Sequence, residues 1–303
     1  MKRNIYSYSK LWMISFVLMG AACTNQVEDA IPVSGQPIEF SVQSDWKEIP
    51  NTRLNPGKPQ FVKDDKIQIF GFHKSLSGDE VKFMYRVGEP DRGQIVTFDG
   101  TNWNYSPKRF WPKEGTLDFY VGYPEYSVLY KEDKMTYEQP AFYPLGLDLL
   151  WGVSTGYNCA NGRKDVEITM KHALAKVNIS FDGFSDEIGS IIVSAYKTGW
   201  FSLLTLDGGI PDWQVDDKTN IDAVFYKHKD QIDNNSVTVF ILPKKITGLQ
   251  AWNVAGDKKI ADATEELKQP QYTFLAGKVY NLTIHKKNTN SRSIAMSVRC
   301  VSE

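Results

Sequence analysis

The stretch DVEITMKHALAKVNISFD, Asp165 to Asp182, holds two strand patterns of opposite parity. Up to Met170 the apolar residues are Val166, Ile168 and Met170, with Glu167, Thr169 and Lys171 around them. After Ala175 they are Val177, Ile179 and Phe181, separated by Asn178 and Ser180. Residues i and i+2 share one face of a strand, so a change of parity sends every later side chain to the opposite face. Two half-buried strands therefore meet at His172-Ala173-Leu174-Ala175. That junction is a turn, a bulge or a crossing, and it reads as the seam between two β-domains.

Working outward, 303 residues suffice for two ordinary domains. Aromatic content is 13%, and strand-like runs bounded by Gly, Pro, Asn and Asp recur on both sides of the seam. Beyond the first 25 residues no stretch sustains a helical apolar period, so the expectation is an all-β protein. A net charge of −1 gives no electrostatic case for nucleic acid or for a basic membrane-binding face.

The N-terminus speaks to compartment. Lys2, Arg3 and Lys10 precede an apolar run from Leu11 to Ala22, followed by Cys23. A basic flank and a short apolar region make a secretory signal, too short to span a bilayer as a helix. Gly20-Ala21-Ala22-Cys23 is similar to a bacterial lipobox, which makes Cys23 the candidate lipidation site; ordinary signal cleavage beside an incidental Cys is the other reading. Two or more acyl chains on Cys23 would anchor the chain stably. Export permits a disulfide between Cys159 and Cys300, or the two are small half-buried residues.

Thr24 to Gln36 reads as a polar tether, and Ile38, Phe40 and Val42 alternate with Glu39 and Ser41 as a first strand. The loop from Asp45 to Pro59 holds Arg53 and Leu54, with Pro56, Gly57 and Pro59 keeping it irregular. Strands are expected at 66–73, 82–87, 95–99, 103–105, 117–123 and 145–153, with Asp99-Gly100 as a turn. Beyond the seam they are expected at 188–195, 200–206, 237–242, 249–254, 271–275 and 279–285, with Ala276-Gly277-Lys278 as a turn. After the polar stretch 287–292, Ile294, Met296, Val298 and Cys300 alternate with Ala295, Ser297 and Arg299. This amphipathic strand is either the last edge strand of the second domain or a segment donated to another subunit.

Catalytic chemistry finds no support. His73, His172, His228 and His285 lack metal-ligand spacing and sit in or beside strand patterns, as structural histidines do. No nucleophile elbow, phosphate loop or dinucleotide fingerprint occurs, and Asp64-Asp65, Asp186-Glu187 and Asp216-Asp217 read as turn residues. No catalytic residue, metal or cofactor is assigned. Trp103, Tyr105, Trp111, Trp213 and Trp252 are candidates for a sugar platform or for core packing.

Several segments in order, namely the lipobox, QPIEFSV, the Thr52-Arg53 loop, NWNYSPKRFWP, LDFYVGYP, LLWG and KHALAKV, resemble the fimbrillin family of type V pilins. PQYTFLAGKVYNLTI adds to the likeness in the second half. The resemblance implies two tandem transthyretin-like β-sandwich domains and export as an outer-membrane lipoprotein. It implies cleavage by a trypsin-like maturation protease, which maps here between Arg53 and Leu54 and would release the strand of Ile38, Phe40 and Val42. The expected division is a signal at 1–22, a lipidated tether and cleavable first strand at 23–53, sandwiches at 54–175 and 176–286, and a linker with candidate donor strand at 287–303. The expected function is a pilus subunit that polymerises by strand exchange with other pilin subunits and supports adhesion to a surface glycan or protein receptor. The competing reading is a monomeric outer-membrane glycan-binding lipoprotein.

Overall fold

The computed structural model describes residues 31–44, 61–126, 128–131, 134–138, 148–160, 165–184, 188–196, 198–203, 209–215, 223–228, 232, 235–267, 272–286 and 294–301. Cys23, Arg53, Leu54, Asp186-Glu187 and Asp216-Asp217 lie outside these residues. The regular structure described is strand, apart from a single helical turn, α1, at Thr264–Leu267.

The first half contributes β1 (Val33–Pro37), β2 (Phe40–Ser44), β3 (Lys66–Lys74), β4 (Glu80–Met84), β5 (Gln94–Phe98), β6 (Trp103–Asn104), β7 (Phe110–Pro112) and β8 (Thr116–Tyr123). It continues with β9 (Val128–Lys131), β10 (Lys134–Glu138), β11 (Leu150–Asn158) and β12 (Val166–His172). Eight of these form one sheet in the order β2-β12-β11-β8-β3-β5-β6, with β4 also pairing β3. Strand β3 is buried from Ile67 to His73, on both faces. Ile67 and Ile69 share one core with Leu117, Phe119, Val121 and the seam residues Val166, Ile168 and Met170. Phe70 and Phe72 look the other way and share a second core with Tyr120 and Trp151. A half-buried strand would alternate; a central strand covered on both faces reads as a continuous apolar run.

Past the seam come β13 (Ala175–Asp182), β14 (Ile188–Ala195), β15 (Thr198–Trp200), β16 (Ala223–His228), β17 (Ser236–Ile241), β18 (Ile246–Asn253), β19 (Lys259–Asp262), β20 (Val279–Lys286) and β21 (Ile294–Val301). They build two four-stranded sheets, β17-β13-β20-β21 and β16-β14-β18-β19. Val177, Ile179, Val239, Leu282 and Ile284 from one sheet meet Ile191, Val193, Leu249 and Ala251 from the other in a third core. The parity change thus coincides with a change of sheet: β12 belongs to the eight-stranded sheet and β13 to a four-stranded one.

The crossing itself is buried, with Ala173 at 0% and Leu174 at 1% exposure. Buried backbone polar groups need partners. The Ala173 N–H donates to the Leu149 carbonyl at 2.7 Å, and the Leu174 carbonyl accepts from the Gly277 N–H at 2.9 Å. The Ala173 carbonyl accepts from the Trp213 indole N–H at 2.7 Å. Trp213 and Phe201 stack edge to face at 4.8 Å and belong to the second core with Phe70, Phe72 and Trp151. Phe201, Leu203 and Trp213 therefore follow β15 in the chain but pack with side chains of the first half's sheet.

Charged groups are buried at the same place. His172 Nδ1 contacts the Asp148 carboxylate, and Asp148 is 4% and Lys176 5% exposed. Burial holds the Lys176 amine below its ordinary pKa, while the Asp148 charge opposes that shift.

Several expectations need correction. The residues read as a tether include a strand, β1, which pairs with β7. Its burial follows no alternation, because it is held by backbone ladder bonds rather than by an apolar face. Residues 201–203 and 272–275 are not strands. Phe201, Leu203 and Phe274 are buried singly from irregular backbone, and the Phe274 N–H bonds to the Lys244 carbonyl. Strands β9, β10, β16 and β19 were not expected, and β11 continues to Asn158, past the expected end at Val153. The expected turns do form: Asp99 Oδ1 accepts from the N–H groups of Thr101 and Asn102, and Gly100 and Gly277 take positive φ.

Removing the Asp148 charge should expose the dependence of the seam on it. Asp148→Asn is expected to destabilise the chain by about 3 kcal/mol, because Lys176 and His172 lose their buried counter-charge. Adding Lys176→Met should recover a large part, measured by urea denaturation; purely additive effects would show that the groups are not coupled. The folded state binds the Lys176 proton less tightly than the unfolded chain does. Its contribution to stability should therefore improve as pH rises from its lowered folded value toward 10.5. Any stability advantage of Lys176→Met over wild type should narrow across that window.

Candidate functional site

The first strand is built into the core as an edge. Strand β2 pairs parallel with β12, Phe40 opposite Val166, Val42 opposite Ile168 and Ser44 opposite Met170. Among the described residues β12 is its one neighbour within the sheet. Ile38 is fully buried and Phe40 is 7% exposed, while Val42 packs partly buried against the same core. The Phe40 ring meets Tyr105 at 5.6 Å and Phe119 at 5.5 Å, both edge to face, the geometry aromatic quadrupoles favour. Ile38 donates its N–H to the Arg109 carbonyl at 2.9 Å and accepts from the Tyr105 hydroxyl at 2.9 Å. Burial pushes the Tyr105 phenol up to about 12, so it stays a neutral donor across the ordinary pH range. Glu39 pairs with Lys108 at 3.2 Å on the surface, which adds little.

The residues expected as a displaced strand, Ile38, Phe40 and Val42, thus lie together on one side of the first core. The cut expected between Arg53 and Leu54 falls in the chain that follows β2, outside the described residues.

The C-terminal strand is also an edge. β21 pairs antiparallel with β20, with Met296 opposite Ile284, Val298 opposite Leu282 and Cys300 opposite Tyr280. Ile284, Leu282 and Tyr280 face the third core. The register therefore sets Met296, Val298 and Cys300 opposite core-facing residues, while Ile294 lies opposite the exposed Lys286 at the end of the strand. In this arrangement the strand completes its own chain's sheet.

A polar row crosses the outer face of that sheet. His285 Nδ1 lies 3.1 Å from Asp182 Oδ2, and His285 Nε2 lies 3.2 Å from Ser297 Oγ. Asn178 donates to Asn281 at 2.8 Å, and Ser180 donates to Thr283 at 3.1 Å. Asp, His and Ser in a row have the composition of an acyl-transfer relay. Here, however, His285 is 41% and Asp182 71% exposed. The row lies open to water, without the preorganised, water-excluded donor site that stabilises an oxyanion. Its physical role is cross-strand pairing, worth a few tenths to about 1 kcal/mol per pair, between β13, β20 and β21.

The remaining candidates separate in space. Trp103, Tyr105, Trp111 and Trp213 are all buried, at 1–7% exposure, and belong to cores. Trp252 is half-buried on β18 and stands apart from them. His73 Nε2 meets the Glu114 carbonyl at 2.9 Å, a structural contact. Asp64 takes φ 72° and Asp65 accepts from the Val62 N–H, as turn residues do. Among the described residues no three His, Cys, Asp or Glu side chains are gathered to hold a metal. The Cys159 thiol is free and buried, and burial pushes it up to about 11. Sequence reading missed the Asp148–His172–Lys176 group, since the Asp lies 24 residues before its His and no local pattern links them.

Comparison with known proteins agrees with this architecture. A sequence profile described as fimbrillin-like matches residues 52–299. The crystal structure of a candidate cell adhesion protein from Bacteroides uniformis superposes with a TM-score of 0.57 at 16% identity, covering 87% of this chain and 96% of that one. A second such protein, from Bacteroides ovatus, gives 0.56 at 14% identity, covering 88% and 96%. At these identities the likeness concerns the fold. No curated protein matches the chain by sequence.

The packing of Phe40 carries an expectation of its own. Phe40→Ala should lower the stability of the uncleaved chain by about 3–5 kcal/mol, the range for emptying a buried aromatic site. An unchanged urea midpoint would show that the first strand contributes little to the fold.

Proposed function

This chain belongs to the fimbrillin-like family, and from that membership we propose that it is a structural subunit of a surface fimbrium, assembled by strand exchange and contributing to adhesion. In this reading the N-terminal signal directs export, Cys23 carries the lipid that holds the precursor at the outer membrane, and a trypsin-like protease cuts between Arg53 and Leu54. The chain then acts as two units divided at the seam, 54–175 and 176–286, followed by a donor segment at 287–303.

The observation that supports this most is the placing of β2. Among the described residues it is an edge strand, bonded within its sheet to β12 alone, yet Phe40 fills a core position, as does Ile38 two residues before it. Loss of residues up to Arg53 takes β1 and β2 away together. The edge of β12 is then left with Val166, Ile168, Met170 and Phe119 uncovered along a groove. An exposed apolar groove beside an unpaired strand edge demands a replacement strand. A strand from another subunit supplies one by β-augmentation, and head-to-tail repetition of that contact makes a filament. The 294–301 strand, itself an edge with alternate apolar residues, has the pattern such a donor requires.

Limited trypsin digestion of the lipid-free chain, with N-terminal sequencing and sizing, tests the scheme. A single cut after Arg53 followed by SDS-resistant ladders is expected. Replacing both Met296 and Val298 by Asp should abolish the ladders without preventing the cut. Ladders that persist in that variant would remove the donor role from this strand. Resistance at Arg53 would favour a monomeric glycan-binding lipoprotein.

A further inference from the structure

The outer face of the β14–β18 sheet carries a small pocket that strand exchange does not use. It has a volume of about 160 Å³ and is lined by Ser190, Ile192, Trp252 and Gly256. Ser190 lies directly opposite Trp252 in the register, and Ile192 lies opposite Gln250. The intervening residues Ile191, Val193, Leu249 and Ala251 turn inward and are fully buried, so the pocket lies on the opposite face of the sheet, with Ser190 itself buried at 4% exposure and Trp252 half-buried. The indole N–H of Trp252 is buried and has no acceptor among the described residues. A buried donor without an acceptor is uncommon in a folded protein and marks a place where a ligand atom is well received.

We propose that this pocket binds one neutral sugar ring, with Trp252 as the platform. At the ~30 Å³ that each water occupies in the liquid, its volume corresponds to about five waters, which suits a single ring rather than an extended chain. The indole and Ile192 offer an apolar surface, while the Trp252 N–H and the Ser190 hydroxyl offer hydrogen bonds. That mixture matches a polyhydroxylated ring, whose one face is lined by C–H groups and whose rim is hydroxyls.

Charge argues against an ionic ligand. On the neighbouring strand the Lys259 ammonium is bonded to Asp262 at 2.6 Å, and the Gln250 amide donates to the same carboxylate at 3.3 Å. Among the described residues the pocket walls carry no charge of their own, and a desolvated ion would need one.

The rim is preorganised. Asn253 Nδ2 donates to Asp257 at 2.8 Å, Asn253 Oδ1 accepts from the Lys258 N–H at 3.1 Å, and Gly256 takes a positive φ. A Cβ at Gly189 would lie 2.4 Å from Val254 Cα, so the turn rests directly on β14. Such a site supplies the adhesive contact of the proposed fimbrial subunit, but it requires neither cleavage nor assembly.

The test is a titration of the uncleaved full-length chain, so a failure of assembly cannot produce a negative result. With indole-¹⁵N labelling, each of the eight tryptophans gives one N–H resonance. Trp252→Phe identifies the Trp252 signal by its loss. Glucose, galactose, mannose, fucose and N-acetylglucosamine are added in turn, with sodium sulfate and acetate as anionic probes. At least one sugar should shift the Trp252 signal with a millimolar or submillimolar Kd, and the anions should not.

By calorimetry with that sugar, Trp252→Phe, which keeps a ring and drops the donor, should weaken binding roughly tenfold. Trp252→Ala should abolish it, and Ser190→Ala, a smaller change to the fold, should weaken it severalfold. A glycan ending in the same sugar should bind at least as tightly as the free ring. No shift with any of the five sugars, a stronger shift with an anion, or undiminished affinity in both Trp252→Phe and Ser190→Ala would overturn the proposal.

Discussion

The buried crossing at Ala173-Leu174 is the constraint on which the rest of the chain depends. Two residues that change sheets in the interior bring N–H and C=O groups that water cannot reach, and each must find a partner. The partners come from Leu149, Trp213 and Gly277, three segments far apart in sequence. One lies before the seam and two lie after it. Satisfying the crossing therefore fixes the start of β11, the position of Trp213 and the turn before β20 at one stroke. The apolar second core forms around that knot, with Phe70, Phe72 and Trp151 on one side and Phe201, Leu203, Phe240 and Leu242 on the other. The Asp148, His172 and Lys176 group is the polar counterpart, stable only while its members face one another.

Edges are the second theme. A sheet edge is ordinarily a hazard, because its free N–H and C=O groups recruit other strands. Here a strand near each end of the described chain is an edge. β2 lies parallel beside β12 and β21 antiparallel beside β20. Neither is a thin decoration: Phe40 sits in an aromatic cluster, and β21 matches β20 over eight residue pairs. A strand bonded on one side alone, yet filling a core, is costly to lose and specific in what replaces it. That combination is what an assembly by strand replacement needs. In this chain each of these edges is occupied by the chain's own strand.

The surface chemistry divides along the same sheets. The outer face of β13, β20 and β21 is a row of paired polar side chains, self-satisfied and open to water. The outer face of β14 and β18 instead holds an indole with an unmet donor, in a pocket too small for anything but a compact ligand.

What the sequence determined by itself was whatever depends on near neighbours. Strand periodicity has a repeat of two residues, so the parity change at His172 to Ala175 was legible without a structure, as was the all-β class. Turn chemistry is equally local: Asp99 bonds to the N–H groups two and three residues on, and Gly100 supplies the positive φ. Tertiary structure alone decided the pairings. Nothing in Phe40 or Val166 announces that strands 126 residues apart lie side by side in parallel, as the Gln43–Thr169 contact across them shows. Alternation within one strand leaves Trp103, Tyr105 and Trp111 open to a platform or a core role, whereas β3 and the strands around it bury them with residues distant in sequence. Trp213 was legible as an aromatic, but not as the donor that closes the seam. Its role is set by a carbonyl 40 residues away, and only packing brings the two together.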